Sequence, residues 1–260
     1  MYLMFGDEAD PERGRGQKFF VCGAVFINAQ QVEELHDNIQ KIRKRFGYAN
    51  TDSLKFSGCP KDISYDKHRE VKKEIVKLAR RHDVVFCAYA ISHAVAQPNQ
   101  LWPYGINTLL GKFDAFLKER GDVGIVLMDR SPSQLKDPFK YLKNKFQIGL
   151  QFPSGGNRRV DDIIGYAFTC DGASHLASLA DILLGSFRHC VNEPDRDIAN
   201  AAIFPTLIRI MWYRRTKDGK KRLQEYGLTL RPETIKVERH KKDYNNPLAR
   251  LDGYLKKREE

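Results

Sequence analysis

Three long apolar runs constrain the fold of this 260-residue chain more than any other feature. They are KFFVCGAVFI at residues 18–27, VVFCAYAI at residues 84–91 and VGIVLMD at residues 123–129. Nearly every residue in them is apolar, which is typical of strands that are covered on both faces. Shorter runs at residues 2–5 and 163–169 predict a first and a fifth strand. We therefore expect one sheet with helices packed on both sides.

Apolar residues recur at helical spacing between and after these runs. The predicted helices are residues 32–46, 66–82, 104–120, a segment after a Ser133 cap, 174–190 and 198–213. Strands that lead into alternating helices and strands indicate an α/β fold with a mixed sheet flanked by helices. We predict one such domain over residues 1–195, followed by a basic extension over residues 196–260 that packs on it or trails from it.

The charge is concentrated in that extension. Residues 207–260 carry 16 Lys and Arg against 8 Asp and Glu, a net +8 of the chain's +11. Segregated positive charge favours a polyanionic partner, nucleic acid first and a membrane surface second, over a plain solvated surface. Asp218-Gly219 predicts a hairpin turn, and the polar stretch after Pro232 is expected to be peripheral.

Composition excludes several classes of protein. The 42% apolar content fits a globular chain. No apolar run approaches the ~18 residues of a membrane span, and acids follow the first strand at once, so we expect a cytoplasmic protein with no signal peptide and no membrane partner. The five cysteines contain no C-x-x-C pair, which argues against a disulfide framework or a zinc knuckle and predicts buried free thiols.

Acidic residues stand where two of the predicted strands end. The run YLMFGDE reaches Asp7, and VGIVLMD ends at Asp129. If these strands are parallel neighbours, their ends bring the two carboxylates together at the edge where such sheets bind ligands. A third acid, Asp181, lies in the otherwise apolar helix 174–190. An inward-facing carboxylate must be paired or hold a metal ion.

Converging carboxylates form a hard-oxygen site that suits Mg²⁺ or Mn²⁺ rather than zinc. Two such ions can activate water and stabilise the leaving oxygen in phosphodiester hydrolysis. The alternative is that each strand-terminal acid is a turn or cap residue and that Asp181 pairs with Arg188. Glu8 and Asp10 are secondary candidates beside Asp7.

Basic residues in two places are candidates for nucleic-acid contact. The loop PSGGNRR carries Arg158 and Arg159, which could touch phosphate or belong to a plain solvent loop. The extension offers a larger basic set, consisting of Arg214, Arg215, Lys220, Lys221 and Arg222. The adjoining Trp212 and Tyr213 suit either stacking on bases or core packing.

Four short motifs carry a family resemblance. They are GDEAD (Asp7 to Asp10) before FFVCGAVFI, SLKFS with Lys55, VLMD with Asp129, and SLADILLG with Asp181. Over residues 1–190 they resemble the bacterial family called domain-of-unknown-function 3800 (DUF3800), within the ribonuclease H-like superfamily. The resemblance implies a ribonuclease H-like mixed sheet, a metal site at Asp7, Asp129 and Asp181, and catalytic roles for Glu8 and Lys55.

The chain departs from the family pattern at three positions: Ala9 replaces Ser, Ser53 replaces the Glu that precedes the Lys, and Ser178 replaces Gln. The resemblance implies a divalent-metal-dependent nuclease acting on RNA or DNA, and the family's usual company suggests a defence or mobile-element effector. The alternative is a non-catalytic module that binds nucleic acid or a protein partner and retains the fold.

Overall fold

The computed structural model describes residues 1–8, 17–129, 137–152, 156–170, 172–193 and 203–256. Its strands, in chain order, are β1 (Tyr2–Glu8), β2 (Phe19–Asn28), β3 (Val85–Ser92), β4 (Gly124–Asp129), β5 (Leu150–Gln151), β6 (Asn157–Arg158), β7 (Ile163–Thr169), β8 (Arg214–Arg215), β9 (Lys221–Arg222) and β10 (Leu228–Arg231). Its helices are α1 (Val32–Arg45), α2 (Tyr65–Arg81), α3 (Pro98–Arg120), α4 (Pro138–Gln147), α5 (His175–Asn192), α6 (Phe204–Ile210) and α7 (Glu238–Lys256).

Six strands form one mixed sheet in the order β10-β3-β2-β1-β4-β7. The strand β2 pairs antiparallel with both β1 and β3, whereas β4 pairs parallel with both β1 and β7. The first strand is thus central, with an antiparallel pair on one side and a parallel pair on the other. This is the predicted α/β fold with a mixed sheet flanked by helices, and that fold class is confirmed.

The two faces of the sheet are covered by different helices because the side chains of a strand alternate. On β1, Leu3 and Phe5 pack in the core beneath α1, α2, α5 and α6. Tyr2 and Met4 pack in the other core, beneath α3. The runs of β2 and β3 are buried on both faces, as the sequence predicts, whereas β4 alternates buried and partly exposed residues.

Several predicted boundaries differ from the structure. The first strand continues to Glu8, so Asp7 lies inside β1 rather than after it. Helix α3 begins at Pro98 instead of residue 104, and Asp137, not Ser133, caps α4 by accepting from the backbone N–H of Lys140. Ser133 itself lies outside the described residues.

The helix predicted over residues 198–213 ends earlier, because α6 stops at Ile210. Met211 adopts an extended conformation and forms a bridge with Phe86 of β3, which redirects the chain along the sheet. Residues 198–202 are outside the described part of the chain. The predicted hairpin at Asp218-Gly219 is confirmed by the antiparallel pairing of β8 and β9.

The C-terminal extension is built into the sheet. Strand β10 pairs parallel with β3 as an added edge strand. The expectation of a peripheral tail after Pro232 is wrong for α7, because Tyr244 is only 3% exposed. Its hydroxyl accepts from the backbone N–H of Ser92 at 2.7 Å and donates to the carbonyl of Arg231 at 2.5 Å. The division of the chain at residue 195 stays a prediction.

Two expectations from composition concern the cysteines and membrane-spanning helices. The five cysteines are free thiols; Cys22, Cys87 and Cys190 are buried, whereas Cys59 and Cys170 are exposed, so the expectation of buried thiols is wrong for these two. Among the described residues, no helix combines the length and the apolar character that crossing a bilayer requires.

Replacing Tyr244 with Phe tests how firmly the extension is joined to the sheet. The change leaves the buried N–H of Ser92 without an acceptor, so we expect the free energy of unfolding to fall by about 1–3 kcal/mol. Urea unfolding followed by circular dichroism measures it. The matched control is Tyr65→Phe, since Tyr65 is 68% exposed. Equal stabilities of the two variants would contradict a structural role for the Tyr244 hydroxyl.

Candidate functional site

Asp7 and Asp129 occupy adjacent positions on neighbouring parallel strands. Gly6 of β1 is paired with Met128 of β4, and each acid is the next residue along its strand. Neighbouring strands lie about 4.8 Å apart, so the two acids start from backbone positions at that order of separation. The sequence-based expectation that parallel strands bring these two acids together is met at the level of the backbone.

Both carboxylates belong to the face of the sheet that α5 covers. Phe5 and Leu127, two residues earlier on the same strands, pack in the core beneath that helix. Since alternate residues share a face, Asp7 and Asp129 lie on it as well. Both side chains are partly exposed, so the two acids sit at the open end of the sheet rather than in its core.

Helix α5 crosses the sheet one strand away from Asp7. Asp7 is paired with Gly23 of β2, and a Cβ at Gly23 would lie 2.8 Å from a methyl carbon of Leu184. The absence of a side chain at residue 23 therefore lets the helix approach the sheet closely. Asp181 lies three residues before Leu184, about one helical turn away.

Asp181 is tied to the loop that joins α1 to α2. Its Oδ2 accepts a hydrogen bond from the backbone N–H of Phe56 at 2.5 Å. Gly185, one turn further along α5, leaves the space that the side chain of Phe56 fills, because a Cβ at this position would overlap it. The small residue and the acid on one stripe of α5 thus hold the loop against the helix.

Lys55 lies in this loop, next to Phe56, and is partly exposed. Lys55 therefore adjoins the residue whose backbone N–H contacts Asp181, and its catalytic role stays a prediction. Ser53, which stands where that pattern has Glu, is exposed.

Lys72 of α2 is a site residue that sequence reasoning missed. It is only 8% exposed, its Nζ donates to the carbonyl of Phe56 at 3.3 Å, and it lies 4.4 Å from the centre of the Phe56 ring. Burial lowers the pKa of Lys72, and the charges of Cys59 and Asp181 oppose that shift. The sequence did carry one indication that Lys72 faces inward, because it lies on the same helical stripe as His68 and Ile75.

His68 lies one turn before Lys72 and is also buried. Its Nδ1 and the hydroxyl of Tyr48 are hydrogen-bonded at 2.6 Å. Burial lowers the pKa of His68, and the nearby positive charge of Lys72 lowers it further. The side of α2 that faces the loop therefore carries His68, whose pKa is lowered, one turn before the buried Lys72.

A cavity of about 640 Å³ opens between this loop, α2 and the second half of α5. Phe56 and Lys72 line it together with the exposed ring of Tyr65. Phe56 thus lines the cavity and also donates its backbone N–H to Asp181, which is not one of the residues that line the cavity.

The predicted ligands are of a chemical type that binds metal ions, but in the described part of the chain their arrangement does not form a complete metal site. Carboxylate oxygens suit a hard divalent cation. Within the described ranges, however, no group of three or more His, Cys, Asp and Glu side chains is arranged to hold a metal ion. Asp7 and Asp129 are neighbours along the sheet, and the assignment of Asp7, Asp129 and Asp181 as metal ligands stays a prediction.

The secondary candidates near Asp7 are only partly described. Glu8 is the last residue of β1, and its backbone is paired with Cys22. Asp10 lies outside the described residues.

The basic candidates are not near these acids. Arg158 pairs with Asp114 of α3 at 2.8 Å, under the opposite face of the sheet, and Arg159 pairs with Asp161. The other set, Arg214, Arg215, Lys220, Lys221 and Arg222, belongs to the β8–β9 hairpin. Trp212 is buried and packs its ring against Phe116 and Tyr226, so core packing is the correct reading for it.

Comparison with known proteins adds a distant likeness. No protein-family model and no curated protein matches the chain. A chain of the PCNA:ribonuclease HII complex from Archaeoglobus fulgidus is 14% identical, with a TM-score of 0.42 over 76% of this chain and 77% of that one. Ribonuclease H2 from Pyrococcus horikoshii OT3 is 15% identical, with a TM-score of 0.39 over 77% and 75%. Both scores are low, so the fold assignment rests on the strand order, and the DUF3800 resemblance stays a prediction.

Gly185→Ala tests the contact between α5 and the loop. The added methyl group overlaps Phe56, and overpacking typically costs about 1–3 kcal/mol, whereas alanine regains about 1 kcal/mol of helix propensity. We expect a net loss of stability in thermal unfolding. The control is Gly165→Ala, where the nearest atom to a new Cβ, on Ile125, is 3.8 Å away. A Gly185→Ala protein as stable as this control would contradict close packing of the loop on α5.

The lowered pKa of His68 predicts an acid-sensitive fold. Below pH ~6.5 the unfolded chain takes up a proton at this imidazole while the folded protein does not, so stability falls as pH falls towards the folded pKa. The slope contributed is at most about 1.4 kcal/mol per pH unit. Unfolding free energies across this window should depend less on pH in His68→Gln than in the parent. A pH dependence in His68→Gln equal to that of the parent would contradict this prediction.

Proposed function

We propose that this chain is a divalent-metal-dependent nuclease that hydrolyses phosphodiester bonds of RNA or DNA. The observation that carries the proposal is the register of β1 and β4, which sets Asp7 beside Asp129 on the face covered by α5. Two like charges this close repel each other unless a cation lies between them. A hard divalent cation is the partner that carboxylate oxygens favour.

Each residue has a distinct role in this proposal. Asp7, Asp129 and Asp181 would hold Mg²⁺ or Mn²⁺, which when bound activates water and stabilises the leaving oxygen. The backbone N–H of Phe56 fixes one carboxylate oxygen of Asp181. Lys55 would contribute positive charge towards a phosphate, and Glu8 would assist from the end of β1. No protein nucleophile is required.

The biological setting follows only from the family resemblance. A metal-dependent nuclease of the DUF3800 type would act as a defence or mobile-element effector, and its substrate would be RNA or DNA. A cytoplasmic location belongs to the same proposal.

A second function is favoured by a different observation. The described residues hold no three-ligand metal group, and Ser53 replaces an acidic residue of the family pattern. A non-catalytic module that binds nucleic acid would retain the fold without the chemistry. Strongly salt-dependent binding with no cleavage in Mg²⁺ or Mn²⁺ identifies the module.

Asp7→Asn is the decisive variant for the nuclease. Because a catalytic metal ion supplies several kcal/mol of transition-state stabilisation, we expect cleavage of labelled RNA and DNA in Mg²⁺ or Mn²⁺ to fall by at least about a hundredfold. Thermal stability without metal should stay equal or rise, since the change removes a repelling charge.

The control for this experiment is Asp161→Asn, which removes an exposed acid that pairs with Arg159 outside the site. Calorimetric titration with Mn²⁺ should show binding to the parent and to the control but not to Asp7→Asn. Full metal-dependent cleavage by Asp7→Asn would refute the assignment of Asp7 as a ligand.

A further inference from the structure

A second polar groove lies at the end of the sheet opposite the acids. It has a volume of about 790 Å³ and is lined by Tyr2 at the start of β1, Asn28 at the end of β2 and Val85 at the start of β3. Asp7 stands five residues further along β1 than Tyr2. At about 3.3 Å per residue, the groove and the acids are separated by about 17 Å along that strand.

The groove is strongly basic. Five arginines line it, against two acids, Asp83 and Glu119. The arginines come from four parts of the chain and all are exposed; they are Arg80, Arg120, Arg209, Arg214 and Arg215. Glu119 pairs with Arg214 at 3.0 Å. Positive charge therefore exceeds negative charge within one concave surface, where potentials of the same sign reinforce each other.

The basic surface continues onto the β8–β9 hairpin. Arg214 and Arg215 form β8 and also line the groove. Across residues 214–222 the chain carries six Lys and Arg and one acid, Asp218. Lys221 lies 4.1 Å from the centre of the Tyr213 ring, which places an aromatic face beside the charges. A groove and a hairpin with the same charge thus form one continuous strip.

We infer that this strip binds the phosphate backbone of a nucleic acid strand, at a site separate from the carboxylates. Arginine forks recognise phosphate oxygens in two-bond geometry, and a concave row of them follows a chain of phosphates. A membrane surface fits less well. Interfacial binding needs apolar side chains that insert into lipid, and none of the residues that line the groove is a large exposed hydrophobic.

The distance between the basic strip and the acids suits the strip to binding nucleic acid away from the carboxylates. The strip would hold a nucleic acid at one end of the sheet while the acids lie at the other end. Only a strand long enough to span the gap could reach both. The inference does not depend on the proposed nuclease, since backbone binding requires no metal and no cleavage.

The experiment measures binding in EDTA, so that cleavage plays no part. Fluorescence anisotropy of labelled single-stranded and duplex oligonucleotides is recorded between about 50 and 200 mM salt. The test variant is Arg80→Ala/Arg120→Ala/Arg215→Ala in the full chain. Three lost phosphate contacts should weaken binding at least about tenfold and reduce the slope of log K against log salt by about 2–3.

The control removes equal charge elsewhere through Lys41→Ala/Lys61→Ala/Lys143→Ala, three exposed residues on α1, the following loop and α4. It should bind almost as tightly as the parent. Equal losses in the two triple variants would overturn the inference, as would an absence of binding by the parent. Binding to anionic lipid vesicles but not to oligonucleotides would overturn it in favour of a membrane surface. Loss of cleavage in Asp7→Asn with intact binding in EDTA would leave it standing.

Discussion

The candidate site depends on the parallel pairing of β1 with β4. Side chains alternate along a strand, so a shift of one residue in this register would move every side chain of one strand to the other face. The register is held by apolar pairs on both faces of the sheet, such as the buried Met4 with Val126 on one face and Phe5 with the partly buried Leu127 on the other. The positions of Asp7 and Asp129 are therefore a consequence of core packing two residues away.

The third acid is positioned by a different mechanism. Asp181 lies on a helix, and its environment depends on what packs against α5 rather than on a strand register. The loop residue Phe56 supplies a backbone N–H to Asp181, a carbonyl to Lys72 and a ring to the space above Gly185. One loop residue thus connects two helices that are distant in sequence. Burial and the nearby charge of Lys72 both lower the pKa of His68, which disfavours a second buried positive charge beside Lys72.

The protein separates its opposite charges in space. The acids stand at the carboxyl end of β1, and the arginines of the groove and hairpin stand at its amino end. If they were adjacent, the arginines would pair with the carboxylates and compete with a metal ion for them. Their separation keeps the arginines of the groove from pairing with these carboxylates, as the proposed cation and phosphate contacts require.

The amino-acid sequence by itself determined the fold class, because apolar runs of this length favour strands covered on both faces, and alternating amphipathic segments supply the cover. It predicted that Asp7 and Asp129 would be neighbours if their strands were adjacent and parallel, and the tertiary structure supplied that pairing. The sequence did not reveal β10 or the burial of Tyr244, because β10 is short and the sequence around Tyr244 is polar, as in a peripheral tail. The tertiary structure alone decided the environment of Lys72 and brought Arg80, Arg120 and Arg215 together in one groove. No local periodicity encodes contacts between segments that are distant along the chain.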